Sequence, residues 1–163
     1  MDFPKRKALR LSDYDYSSNG AYFVTICTQN RKCILSRIVG DGFPVPELSG
    51  KIAEEYIKKI PEKYTSVQVD KYIIMPNHIH MILLFNSPHG TGNPSPTLSN
   101  VLAWYKYNVT REYNEKVGTA GSRFFQRSFH DHVIRNHEVY LKIWEYIDSN
   151  AAKWADDRYY SPD

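Results

Sequence analysis

Residues 71–85 read KYIIMPNHIHMILLF, two apolar runs on either side of Pro76-Asn77. A proline followed by an asparagine suits a tight turn. The stretch therefore predicts a β-hairpin, VQVDKYIIM (67–75) returning as HIHMILLF (78–85). Side chains alternate along a strand, so His78 and His80 share one face while Ile79 and Met81 take the other. Two neutral imidazoles projecting together make a pair of ligands for a divalent metal. Two half-exposed histidines on an ordinary sheet face account for the pattern equally well. A third ligand and a reactive group are needed to separate these readings.

Outward from the hairpin, AYFVTICTQ (21–29) follows the turn-like SSNG and is β-branched and aromatic, which predicts a strand. In LSGKIAEEYIKKIPEKY (48–64), Ile52, Ala53, Tyr56, Ile57 and Ile60 form a helical stripe closed by Pro61. SPHGTGNPSPT (87–97) reads as a loop. LSNVLAWYKYNVTREYNEKV (98–117) reads as a second helix with Ser99 as its cap, and SRFFQRSFHDHVIRN (122–136) as a fourth strand. HEVYLKIWEYIDSNAAKW (137–154) makes a final helix with Asn136 as N-cap. The order is β-α-β-β-α-β plus one helix, an α+β ferredoxin-like split antiparallel sheet. Its two paired helices cover one face, and the last helix is the candidate for the other.

At 163 residues one domain is expected over 1–163, with a basic N-terminal arm at 1–12. With 21 Lys and Arg against 18 Asp and Glu, bulk charge does not declare a nucleic-acid binder. No apolar run reaches the roughly 18 residues of a membrane span, and MDFPKRKALR lacks the apolar middle of a secretory signal. Cys27 and Cys33 have no zinc-ribbon spacing and read as reduced thiols, so a cytoplasmic protein without membrane partners is expected.

On the final helix, Tyr140, Ile143, Trp144, Ile147 and Ala151 fall in one arc at 100° per residue. Tyr146 and Asn150 lie i, i+4 on one flank of that arc, with Lys142 a turn earlier. A phenol and an amide oxygen thus look out together, and can join the histidines if that edge faces them. With thirteen tyrosines in the chain, an ordinary amphipathic tyrosine at a core rim explains Tyr146 as well.

YIIMPNHIHMILL together with FFQRSFHDHVIRN and YLKIWEYIDSNAAKW resembles the single-tyrosine HUH transposases, in particular the REP-associated tyrosine transposase-like proteins. The likeness extends to the opening YDYSSNGAYFVTICTQNRKCIL and covers nearly the whole chain. It implies that His78, His80 and Asn150 bind a divalent cation, Mg2+ or Mn2+ in turnover. It implies that Tyr146 attacks the backbone of single-stranded or hairpin DNA to leave a 5′-phosphotyrosine. One departure stands out: the family usually continues with Asn-Pro where this chain has Asn150-Ala151, so the helix is free to run on toward Trp154.

Candidate DNA contacts come in two groups. Lys5, Arg6, Lys7 and Arg10 form the basic arm, which equally fits a solvated tail. Arg123, Gln126, Arg127, His130, His132 and Arg135 interleave with Phe124, Phe125 and Phe129, a pattern that suits phosphate contacts and base stacking, or an amphipathic edge strand. Lys142 is a candidate to neutralise phosphate or to protonate the leaving oxygen. A catalytically idle nucleic-acid binder is the alternative function, and a hydrolase using water a more distant one. The chain is compatible with a homodimer, its last helix packed in its own subunit or a partner's.

Overall fold

The computed structural model of the protein describes residues 20–86 and 96–162. Gly20–Cys27 forms β1, Ser36–Val39 β2, Phe43–Pro46 β3, Leu48–Lys63 α1, Val67–Ile74 β4 and His78–Phe85 β5. Leu98–Val117 then forms α2, His130–Val133 β6 and His137–Ser149 α3. The main sheet has the order β4-β5-β1-β6 with every pairing antiparallel, and β2-β3 is a separate hairpin. Leaving that hairpin aside, the strands lie second, third, first and fourth, the interleaving of a split β-α-β-β-α-β chain. The basic arm, the SSNG residues before Gly20 and the loop at 87–95 lie outside the described residues.

β5 runs through the centre, buried from His78 to Leu84. Its odd-numbered face, Ile79, Met81 and Leu83, joins Val24 and Ile26 of β1 against Ile52, Ile57 and Ile60 of α1 and Val101, Leu102 and Tyr105 of α2. On the even-numbered face, Ile82 and Leu84 join Ala21, Ile134, and Tyr140, Trp144 and Ile147 of α3. The sheet is a middle layer, and α3 covers the face that the first two helices leave open. His78 and His80 belong to this α3 face by alternation.

Several local expectations are corrected. Pro61 does not close α1 but sits inside its last turn; the Tyr64 N–H still bonds Ile60 O at 2.8 Å, so the turn survives the donor that proline lacks. The cap of α2 is Thr97, whose side chain accepts from the Asn100 N–H at 3.1 Å, and Ser99 lies within the first turn. The fourth strand is only His130–Val133, because Phe124 and Phe125 are both buried, at 4% and 3% exposure. Adjacent residues of a regular strand cannot both face the core; the segment follows the end of β1 irregularly, with Gln126 N–H bonding Cys27 O and Gln29 N–H bonding Phe124 O at 2.9 Å each, and Phe124 meets Tyr113 of α2 at 4.9 Å. These two rings are core, not stacking platforms for bases. Asn136 caps α3 as expected, accepting from Val139 N–H at 2.9 Å.

After Ser149 the helix gives way to turns and a 3-10 turn at Trp154–Asp156. The β2-β3 hairpin, which the sequence reading passed over, supports this exit. Gly42 has φ +105, and a Cβ there would fall 2.3 Å from Ala152 Cα. Gly42→Ala is therefore both strained and blocked by backbone. We expect it to cost about 2 kcal/mol or more in urea unfolding; a loss under about 0.5 kcal/mol would mean the hairpin does not hold the segment after Asn150.

Candidate active site

His78 lies opposite Cys27 and His80 opposite Thr25 in the β1–β5 register, and the imidazole centroids are 4.5 Å apart. Each ring is held at Nδ1. His80 Nδ1 stands 2.8 Å from Thr25 Oγ1, and His78 Nδ1 stands 2.8 Å from Asn77 Oδ1. Asn77 Nδ2 donates to Tyr159 O at 2.8 Å, which leaves its Oδ1 as acceptor. The His78 proton therefore sits on Nδ1, and its Nε2 carries a lone pair.

Asn150, just past α3, is 3% exposed, and its Nδ2 donates to Asp157 Oδ2 at 2.6 Å. The remaining atoms are the telling ones. Five buried side-chain N or O atoms among the described residues have no hydrogen-bond partner, and three are His78 Nε2, His80 Nε2 and Asn150 Oδ1. An unsatisfied buried polar atom costs on the order of 1–3 kcal/mol, and lone pairs of this kind are satisfied by a donor or a cation. No three His, Cys, Asp or Glu side chains gather to hold an ion among the described residues, so the amide oxygen is needed to complete a three-donor set. Two imidazole nitrogens and an amide oxygen suit a divalent ion of intermediate hardness, and the residues fit the implied metal.

Electrostatics favours the ligand form. Burial pushes the His78 imidazole down to about 4, opposed by the Asp157 carboxylate and the Asn150 amide. Burial also holds His80 well below its ordinary value, with His78 and Arg158 adding to the effect. Both rings are thus neutral at pH 7. The linkage has a definite sign: between about 6.5 and 4 the unfolded chain binds a proton on His78 that the folded protein refuses. Stability present above pH 6.5 is therefore lost as pH falls to 4, by roughly 3 kcal/mol from His78 alone. Urea unfolding of the metal-free protein across that window measures it, and a flat profile would contradict the buried, neutral site.

Tyr146 is on α3, one turn before Asn150. Its ring lies 5.3 Å from that of His80 and edge-on to Phe23 at 6.1 Å. It is 40% exposed and lines an open cleft of about 800 Å³ with Lys142, Asn150, Asp157 and Arg158. Burial raises its phenol pKa, as do Asp157 and Tyr159, while Arg158 and Asn150 pull it down. The four residues of the expected site are therefore brought together, but the histidines are deeper than a rim, at 0% and 1% exposure. What covers them is the C-terminal segment: Tyr159 lies 4.6 Å from the His78 ring and Trp154 6.1 Å. Asn77, Thr25, Asp157 and Tyr159 were not singled out by sequence. Only Asn77 had a signal, its place directly before His78.

The candidate DNA contacts divide. His130 pairs opposite Thr25 and His132 opposite Phe23, so both exposed histidines lie on the site face, across β1 from β5. Arg135 is exposed between β6 and α3. Lys142 borders the cleft and pairs with Glu138 at 3.5 Å. Arg123, Gln126 and Arg127 instead line a separate groove of about 540 Å³ against α2, with Lys106 and Arg111. Lys5, Arg6, Lys7 and Arg10 lie outside the described residues. No helix among the described residues is long and apolar enough to cross a membrane.

No family model matches the chain. An uncharacterized protein of Haemophilus influenzae is 30% identical over 172 aligned residues, covering 95% of this chain and 93% of that protein. Among solved structures, a REP-associated tyrosine transposase bound to a REP hairpin superposes with a TM-score of 0.55 at 18% identity, over 82% of this chain and 67% of the other. A candidate transposase from Deinococcus radiodurans superposes with a TM-score of 0.52 at 15% identity, over 82% and 92%. At these identities the two structures speak for the fold.

Proposed function

We propose that this chain, which belongs to one family with the uncharacterized Haemophilus influenzae protein and is tyrosine-transposase-like in fold, is a DNA strand-transfer enzyme. In this reading it nicks and rejoins single-stranded DNA beside a hairpin through a tyrosyl intermediate. The observation that carries the reading is the trio of unpartnered buried atoms, His78 Nε2, His80 Nε2 and Asn150 Oδ1, beside the half-exposed Tyr146. A scaffold that only binds nucleic acid needs none of the four.

His78, His80 and Asn150 would hold a divalent ion, Mg2+ or Mn2+. Bound there, the ion supplies Lewis-acid polarisation of a phosphate oxygen and neutralises charge that builds on phosphorus. Tyr146 Oη attacks phosphorus, the P–O3′ bond breaks, and the products are a 5′-phosphotyrosine and a 3′-hydroxyl. The phenol proton passes to solvent in the open cleft, and the departing 3′ oxygen takes one from Lys142, which borders the same cleft, or from solvent there. Attack by a hydroxyl on the phosphotyrosine reverses the step, so rejoining requires no nucleotide cofactor. Arg158, also lining the cleft, opposes the burial that keeps the phenol protonated. For DNA to reach the histidines, the Tyr159 ring must swing from the position it occupies over His78.

That cover is also what favours the second reading, an idle nucleic-acid binder, in which the segment stays in place. Incubation with single-stranded hairpin DNA and Mg2+ separates the two. Strand transfer gives a protein–DNA adduct that survives denaturing gels. A binder shifts the DNA on a native gel and leaves no adduct.

A further inference from the structure

We propose that Asp157 is a positioning residue for the metal-binding set, fixing which end of the Asn150 amide faces the two imidazoles. The inference rests on the function proposed above. A carboxamide is nearly symmetric in shape, and a half-turn about its last torsion exchanges its oxygen for its NH2. Only the oxygen can ligate a cation, so something must break the symmetry. Asp157 does so chemically. A carboxylate oxygen accepts, and Asn150 Nδ2 donates to Asp157 Oδ2 at 2.6 Å. The flipped amide would set two oxygens face to face between side chains only 3% and 1% exposed, a repulsion that a buried pair does not tolerate.

The carboxylate is itself fixed. Its Oδ1 accepts from the Tyr159 N–H at 2.7 Å, and its side chain is 1% exposed. Its Oδ2 also lies 3.9 Å from His78 Nε2, so the amide it orients is next to the imidazole that must share the ion. With Asn150 Nδ2 spent on Asp157, the amide oxygen is the atom left without a partner, alongside both Nε2 atoms. Outer partners of this kind hold ligand atoms in place in metal sites generally, and losing one costs about 10–100-fold in affinity. The C-terminal segment is then part of the site and not only its cover. Asp156, the neighbouring acid, is exposed and has no such place.

Calorimetric titration of the full chain with Mn2+ tests this, using Asp157→Ala, Asp157→Asn, Asn150→Ala and the Asp157→Ala/Asn150→Ala pair. Asp157→Ala should weaken Mn2+ binding by about 10–100-fold. Asp157→Asn, which keeps an acceptor oxygen, should lose less. If Asp157 acts through Asn150, Asp157→Ala should cost under about threefold once Asn150 is already alanine. Thermal melts without metal show that each variant is folded. Three results would overturn the inference: wild-type affinity in Asp157→Ala, tighter binding in it, which would make the segment a cover alone, or a full additional loss in the Asn150→Ala background. Failure of the wild-type protein to bind Mn2+ at all would overturn the proposed function together with the inference. Retained wild-type binding with normal affinity in Asp157→Ala sinks the inference alone.

Discussion

Tyr146→Phe should fold, bind hairpin DNA and bind Mn2+ as the wild type does, and yet form no covalent adduct. The substitution removes one hydroxyl from a side chain that is 40% exposed, and the ring keeps its contacts with Phe23 and His80. Stability should change by less than about 1 kcal/mol. Adduct formation in a single turnover should fall by about 10³-fold or more, because phenylalanine carries no nucleophilic atom and the other hydroxyl bordering the cleft, Ser149 Oγ, donates to Glu145 O at 2.9 Å. Tyr140 cannot stand in: it is fully buried and its hydroxyl donates to Asp70 Oδ2 at 2.6 Å. Tyr159 is the real rival, since its ring sits 4.6 Å from that of His78. It is 6% exposed, however, while Tyr146 borders the open cleft. Tyr159→Phe should therefore keep the adduct. Its loss there, with persistence in Tyr146→Phe, would move the nucleophile to the C-terminal segment, and cleavage without any adduct in the wild type would favour water.

What the sequence revealed of this arrangement follows the range of the forces involved. The hairpin at 67–85 was legible because strand alternation and the Pro76-Asn77 turn are local, and they place His78 and His80 on one shared face, which packing then sets toward α3. The α3 arc was legible for the same reason, with Tyr140, Trp144 and Ile147 all buried as its period requires. Boundaries failed where tertiary packing overrode propensity. Phe124 and Phe125 alternate poorly as a strand because the helical layer takes both, and β6 shrinks to four residues. The β2-β3 hairpin has edge prolines, Pro44 and Pro46, and reads weakly as sheet. The set around the ligands was hidden for a different reason. Thr25 is 55 residues from His80, and Asp157 meets Asn150 only because the chain turns back after α3. A threonine in a strand and an aspartate in a polar tail carry no mark of such roles. The burial of the histidines was equally invisible, since it comes from Tyr159 and Trp154 folding over them.

His78→Ala combined with His80→Ala should abolish specific Mn2+ binding and, with it, DNA cleavage. Removing one supporting hydrogen bond costs a metal site about 10–100-fold; removing two of three donor atoms must cost more, because Asn150 Oδ1 alone is a single neutral ligand. The wild type should gain about 2.7 kcal/mol of stability at a Mn2+ concentration a hundredfold above its dissociation constant, and the double variant nothing. Thermal melts with and without metal read this difference without reference to activity. The metal-free variant will not be neutral in stability, as a rim site would have allowed. Both imidazoles are buried, Asn77 Oδ1 and Thr25 Oγ1 lose their partners, and two ring-sized spaces open between β5 and the C-terminal segment. The lost orphan Nε2 atoms offset part of that, leaving a cost of about 2 kcal/mol. The double variant should also lose the steep decline in stability between pH 6.5 and 4, since the groups that refuse protons there are gone. Undiminished Mn2+ binding in a variant that has lost this decline would place the metal elsewhere in the molecule.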